Sequence, residues 1–232
     1  MITRRFDRLE AKKATLAEKS LFFGFLGGGC LAALIFLALS PLRAASLPEY
    51  AWVVRVYDGD TVLLDTGDKV RYLGIDAPEV DHEGGAGDCY ALQAWRRNKG
   101  LVEGRKVQLR YDEVRRDEHG RLLAYVHTPD GRCVNTVLLR EGCALVFRTP
   151  KGFERFREFL DAQRNAMKGS KGLWGECRVQ PAPFYLGNQR SYVFHRPSCP
   201  FGTQTARRNL VRFNSRWDAL WDGYRPCRRC RP

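Results

Sequence analysis

Apolar and polar positions follow one rule up to residue 39 and another beyond it. Residues 21–39, LFFGFLGGGCLAALIFLAL, carry no charge and come close to the ~20 apolar residues that cross a bilayer's hydrocarbon core. The run has no polar face, so a buried soluble helix fits it poorly. Ahead of it stand Arg4, Arg5, Arg8, Lys12, Lys13 and Lys19 against Asp7, Glu10 and Glu18, whereas only Arg43 lies between it and Glu49. This asymmetry predicts that residues 1–20 stay cytoplasmic and that the rest is exported. A cleaved signal peptide, processed near Ala44-Ala45-Ser46, is the competing reading. The apolar run exceeds the ~7–15 residues of an ordinary signal-peptide core, which favours an uncleaved anchor. Lipid attachment at Cys30 fits poorly, because apolar residues continue well past it. Residues 40–50, with Pro41 and Pro48, read as a linker.

From Ala51 the period shortens. AWVVRVYD, TVLLD and KVRYLGID read as three strands, separated by the turn signals Asp58-Gly59-Asp60 and Thr66-Gly67-Asp68. KVQLRYDE and RLLAYVHT read as two more, and Pro129-Asp130-Gly131 as a turn. Residues 82–88 are polar and glycine-rich, the pattern of a mobile loop. Helical spacing places Leu92, Trp95 and Leu101 on one helix over residues 91–102, ended by Gly104. A short helix over 134–140 stops at Gly142. A longer one over 153–167 sets Phe156, Phe159, Leu160 and Met167 on one face. Five strands with interspersed helices predict a mainly β, α+β domain built on a five-stranded Greek-key barrel of the OB type.

Composition narrows the class of partner. Apolar residues make up 44% of the 232, enough for a packed core, and a formal net charge of +13 suggests a polyanion, either nucleic acid or anionic lipid. Eight cysteines, one of them in the apolar run and three near the C-terminus, do not form a dense disulfide scaffold.

VYDGDTVLL, VRYLGIDAPE, RRDEHGRLLAYV and VNTVLLREGCALV, in that order, closely resemble the staphylococcal nuclease (thermonuclease) family, from about Ala51 to Cys177. The resemblance implies hydrolysis of phosphodiester bonds in DNA and RNA with Ca2+. Asp60, Asp76 and the backbone carbonyl at Thr61 match the metal ligands, and hard carboxylate oxygens suit that ion. Glu79 matches the general base or water-orienting carboxylate. Arg71 and Arg121 match the pair that clamps the scissile phosphate, where an always-charged guanidinium can fork to two oxygens. Asp58 would support the metal site from behind. His119 stands where the family often has an aromatic that touches the nucleotide, which puts base preference in doubt. Singly, each of these residues is more often an ordinary turn, strand exit or surface residue; jointly, they favour the catalytic reading. Trp174 matches a position that packs the end of the barrel. The family fold brings the regions of Cys89 and Cys177 together, and an exported domain meets an oxidising compartment, so a disulfide between them is expected. Cys133 and Cys143, at opposite ends of one short helix, are expected as buried free thiols.

Past Pro181-Ala182-Pro183, read as a second linker over 179–184, the spacing changes again. His195-x3-Cys199 and Cys227-x2-Cys230 are two ligand pairs separated by a strand and a helix, strong spacing for a closed Zn2+ site. Ser215 and Asp218 fit a capping box, and Gly223 a helix end. Residues 185–232 resemble the Ada-type metal-binding domain of DNA alkylation repair proteins. His195 replaces that family's methyl-accepting cysteine, which argues against alkyl transfer. Arg207, Arg208, Arg212, Arg225, Arg228, Arg229 and Arg231 interleave with Trp217, Trp221 and Tyr224. Such a mixture suits nucleic acid, although the aromatics serve equally as a small core.

The sequence thus predicts a cytoplasmic segment, an anchor in a bacterial inner membrane, a linker, a nuclease-like domain over 51–178 facing the periplasm or exterior, and a zinc module that aids nucleic-acid binding. Secretion after cleavage near Ser46 is the alternative location. No obligate protein partner is implied. Two rival functions remain: a catalytically inactive nuclease fold that only binds nucleic acid, and a zinc-dependent interaction protein.

Overall fold

A computed structural model of the chain describes residues 46–81, 83, 85 and 87–232. The expected cytoplasmic segment and anchor therefore lie outside the described residues, as do residues 40–45 of the linker and His82, Gly84 and Ala86 of the loop. Among the described residues no helix is long and apolar enough to cross a membrane.

The first strand, β1 (Tyr50–Val56), alternates as its sequence suggests: Ala51 and Val53 face inward while Tyr50, Trp52 and Val54 face out. A bulge between Val53 and Arg55 then shifts the phase, so that Val56 is buried instead of Arg55. β2 (Thr61–Leu64) and β3 (Lys69–Tyr72) follow antiparallel, and β4 (Ile75–Asp76) continues the third strand after a break. The sequence predicts one strand there. Gly74 interrupts it at φ +78°, and a Cβ at that position would lie 2.7 Å from the Phe153 ring.

After α1 (Ala91–Val102), β5 (Lys106–Arg110) and β6 (Leu122–His127) complete the barrel. β6 pairs parallel with β3, and β5 bridges β6 and β1, giving the closed order β1-β2-β3-β6-β5. α2 (Val134–Arg140), β7 (Leu145–Val146), α3 (Phe156–Lys168) and α4 (Leu173–Glu176) follow. Inside lie Val53, Leu64, Val70, Tyr72, Leu109 and Leu122, with α2 packed against β6 and α3 packed against α2 and β7. Two helix details differ from expectation. Leu92 is 51% exposed, because α1 buries the stripe Ala91, Ala94, Asn98 and Leu101. α3 begins three residues later than 153, leaving Phe153 to pack edge-on against Phe156.

The C-terminal segment forms a four-stranded sheet in the order β10-β8-β9-β11. Its elements are β8 (Tyr185–Asn188), β9 (Val193–His195), α5 (Pro200–Thr203), β10 (Leu210–Phe213), α6 (Arg216–Trp221) and β11 (Arg225–Pro226). The expected single strand between the ligand pairs understates this sheet. Both halves of the expected capping box on α6 are present. Its small core, Tyr185, Phe194, Phe213, Leu220 and Tyr224, is completed by Met167 from α3. Tyr224 is therefore a core residue rather than a nucleic-acid contact, while Trp217 remains exposed.

Residues 179–184 do not hang the segment loosely, for Leu47–Pro232 forms one compact unit. Gln163 Nε2 on α3 donates to the Leu220 carbonyl at 2.7 Å, and Arg164 Nε to the Trp221 carbonyl at 2.9 Å. Trp174 packs at this seam, against the C-terminal core and edge-on to Trp217, with its ring also beside Gly142 at the end of α2.

Candidate active site and metal centre

Asp60 sits at the mouth of the β1–β2 turn and is fully buried. Asp58 fixes the turn by accepting the Asp60 backbone N–H at 2.8 Å. Gly59 makes it possible: a Cβ there would lie 2.5 Å from the Ala77 Cβ and 3.1 Å from the Ala94 Cβ. The gap lets α1 and the exit of β4 close on the turn. Asp60 Oδ2 then accepts the Ala77 N–H at 2.6 Å, and Oδ1 accepts the Thr61 hydroxyl at 3.0 Å. Asn98, buried on α1, holds the floor. It donates to the Asp58 carbonyl at 3.1 Å and accepts from the Tyr72 hydroxyl at 2.9 Å.

Arg71 faces the same side of the sheet as Thr61, its partner across the β2–β3 ladder. Its Nη1 lies 2.8 Å from Asp60 Oδ1, and its Nη2 bonds Asp76 Oδ1. Glu79 Oε1 stands 4.0 Å from the same guanidinium, on a side chain 55% exposed. Burial and the neighbouring Asp58 and Asp76 push Asp60's carboxyl well above the ordinary range, against the pull of Arg71. Burial first, then Asp58, raises Glu79 as well. Burial would lower Arg71, but Asp60 and Asp76 together raise it.

The structure thus brings Asp58, Asp60, Thr61, Arg71, Asp76 and Glu79 together. Arg121 is not in that cluster: its Nε bonds Asp117 at 2.7 Å. It does lie on the barrel's outer face, two residues before Leu123, which is paired with Arg71 in the parallel ladder. His119 projects from the exposed Asp117–Gly120 turn. The Thr61 carbonyl accepts the Tyr57 N–H at 2.9 Å, which leaves one of its two lone pairs.

Cys89 and Cys177 are joined by a disulfide, with Cα atoms 5.8 Å apart. Cys133 and Cys143 are free; Cys143 is buried, but Cys133 is only half-buried, short of the expectation.

Among the described residues, one group of His, Cys, Asp or Glu converges tightly: His195, Cys199, Cys227 and Cys230, with ligand atoms all within 4.8 Å of one another. A tetrahedral shell with Zn–S near ~2.3 Å has edges of ~3.8 Å, so a small contraction closes it. The Arg196 N–H donates to Cys230 Sγ at 3.4 Å, the kind of outer contact that orients a thiolate.

One residue escaped the sequence: Asn98, which could have been suspected as the polar member of α1's buried stripe. Arg228 was singled out for nucleic acid, but its place beside Asp76 could not be foreseen. Its Nη2 lies 3.3 Å from Asp76 Oδ1, across 152 positions of chain.

A closed five-stranded barrel with carboxylates and an arginine at one mouth defines a class of barrel hydrolase, and comparison names the family. Residues 69–176 match the staphylococcal nuclease homologues, and residues 180–232 the metal-binding domain of Ada. An uncharacterized endonuclease of Escherichia coli O157:H7 is 30% identical over 159 residues, 67% of this chain and 94% of its own. The thermonuclease of Staphylococcus hyicus is 32% identical over 125 residues, 53% of this chain and 73% of its own. Endonuclease YncB of Bacillus subtilis is 46% identical over 130 residues, 53% of this chain and 60% of its own. The chain belongs to the staphylococcal nuclease homologues, and its barrel is that of a nuclease hydrolase. It spans 32% of the SPbeta prophage-derived endonuclease YokF and 60% of YncB, both of Bacillus subtilis.

Proposed function

We propose that this chain is a Ca2+-dependent endonuclease that cuts DNA and RNA on the 5′ side of a phosphate and leaves 3′-phosphate ends. One observation carries the reading: Asp60, Arg71, Asp76 and Glu79, from separate turns and strands, meet at one mouth of the barrel. An inactive binding fold has no need to keep a buried aspartate among three further carboxylates.

Asp60 and Asp76 would hold the ion, with the free lone pair of the Thr61 carbonyl. Ca2+ takes about six to eight oxygens, so water and substrate fill the rest. When bound, the ion supplies Lewis-acid polarisation of the phosphate and of a water. Glu79, half exposed at the rim, would take the proton from the attacking water. The water's oxygen bonds to phosphorus as the P–O5′ bond breaks, and the departing 5′ oxygen takes a proton from solvent. Arg71 would neutralise the phosphate with the N–H groups its two terminal nitrogens keep beyond Asp60 and Asp76, and Arg121, just before β6, is the second donor. Asp58 holds the Asp60 turn. His119 stacks on a base or sugar from the exposed turn. His195, Cys199, Cys227 and Cys230 would bind one Zn2+; four protein ligands leave no open position, so that site is structural.

In this reading residues 21–39 anchor the chain in a bacterial inner membrane, with the nuclease domain (51–178) and the zinc module (185–232) on the periplasmic or outer side. Protease added to spheroplasts should then remove the barrel and leave a membrane-bound stub, whereas full protection would reverse the topology. The function itself is tested by digesting plasmid and RNA with the full chain, in Ca2+ or EDTA, and mapping the ends. Cutting that survives EDTA, or 5′-phosphate products, would overturn it.

A further inference from the structure

The cleft between the barrel and the C-terminal sheet, about 330 Å³ in volume, is lined from one side by Asp76 and Glu79 and from the other by Arg228 and Arg231. Arg228 stands between Cys227 and Cys230, so the turn that carries it is the turn that would hold the metal. That turn is fixed on both sides. Cys227 N donates to the Phe194 carbonyl at 2.9 Å, and Arg231 N to the Cys227 carbonyl at 2.9 Å. Arg225 and Pro226 just before it pair with β9, and Arg231 Nη1 lies 3.5 Å from Asp88 Oδ1.

An exposed ion pair alone carries little weight, typically about 0–1 kcal/mol. The position of this one is what matters. Arg228 Nη2 shares Asp76 Oδ1 with Arg71 and lies 3.9 Å from Glu79 Oε1. Arg71 is enclosed, its side chain 11% exposed, with each terminal nitrogen committed to a carboxylate. Arg228, by contrast, is 68% exposed and lines the cleft, and only its Nη2 is engaged by carboxylates, which leaves most of its five donors available to a strand that reaches Glu79.

We propose that Arg228 is a substrate-phosphate ligand of the barrel's site, delivered in cis by the C-terminal metal-binding turn. The proposal rests on the endonuclease reading above. The C-terminal segment then completes the active site, and does more than add general affinity for nucleic acid. A guanidinium held beside the attacking-water carboxylate is placed to meet charge as it develops on the phosphate.

The test uses the full chain and four proteins: wild type, Arg228→Ala, Arg228→Gln, and Arg190→Ala as an exposed arginine outside the site. Cleavage of a single-stranded DNA oligonucleotide in Ca2+ gives kcat and KM. Affinity for the same oligonucleotide without Ca2+, over a range of salt, gives the number of phosphate contacts. Zinc content and melting temperature report the fold. Arg228→Ala should lower kcat/KM about 10²-fold, as expected for one lost transition-state donor. The slope of log affinity against log salt should flatten by about 0.7, one phosphate contact on a single strand. Zinc content should stay unchanged, and Arg190→Ala should match wild type. Should the alanine variant misfold, Arg228→Gln, which keeps a polar side chain but removes the charge, must show the same loss with zinc retained. Folded variants that cut as fast as wild type overturn the proposal. So does faster cutting, which would make Arg228 a plug on Asp76. A wild-type chain that cuts neither DNA nor RNA overturns the endonuclease reading itself, a distinct outcome.

Discussion

Replacing Gln163 with Met should loosen the seam between the barrel and the C-terminal sheet. Gln163 is buried on α3 and satisfies two backbone groups at once: its Oε1 accepts from Val146 N at 2.7 Å, and its Nε2 donates to Leu220 O at 2.7 Å. Methionine has nearly the same length and no polar fork, so it leaves the Val146 N–H buried and unpaired at almost constant volume, while the Leu220 carbonyl keeps the Gly223 N–H at 3.1 Å. One such orphaned group costs about 1–3 kcal/mol. The hydrogen bond from Arg164 to Trp221 persists, so the loss should fall short of full undocking. Urea unfolding followed by tryptophan fluorescence is the natural assay, since Trp174, Trp217 and Trp221 lie in or near the seam. The midpoint should fall at unchanged slope. Val146 also pairs with Ile75, next to Asp76, so nuclease activity should drop as well. A loss below about 0.5 kcal/mol, the range of an ordinary surface substitution, would refute the idea that Gln163 fastens the two halves.

Gly59→Ala should destabilise the fold by about 1–3 kcal/mol, the usual cost of overpacking, because the new methyl meets Ala77 and Ala94; a melting temperature equal to wild type would contradict the close approach. Burial first, then Arg110 and Arg155, holds His127 below its ordinary value of 6.5, and its Nδ1 is buried without a partner. The folded state therefore resists a proton that the unfolded chain accepts. That contribution is present above pH 6.5 and lost as pH falls through the depressed folded value. His127→Gln should accordingly flatten the decline of melting temperature between pH 7 and 5, and an equally steep decline would count against it. Metal analysis should find one zinc per chain and Cys227→Ser should lose it; disulfide-bonded Cys199, Cys227 and Cys230 by mass mapping would rule the site out.

How legible this was depends on range. The strands could be read because alternation is local: Val62 and Leu64 face in on β2, and Val70 and Tyr72 on β3. The Ser215–Asp218 box spans three residues, and the structure contains it. The carboxylate cluster was legible through its motifs, since Asp60, Arg71, Asp76 and Glu79 lie within twenty residues. The bulge at Val54 and the break at Gly74 were not, because each is decided by packing from α-helical or loop residues far along the chain. The docking of the C-terminal segment was equally hidden. Gln163 and Arg164 look like the solvated face of an amphipathic helix until their partners, the Leu220 and Trp221 carbonyls, are known. The contact of Trp174 with the C-terminal core was hidden for the same reason.

The central claim is that the carboxylates at the barrel mouth perform hydrolysis with a hard cation. It is tested most directly by single-turnover cleavage of a single-stranded DNA by wild type and Glu79→Gln in Ca2+, with affinity for the same strand measured in parallel. The account predicts a rate about 10²–10⁴-fold slower in Glu79→Gln, the usual cost of a lost general base, at unchanged affinity, and no cutting by either protein in EDTA. Equal rates in the two proteins would contradict it.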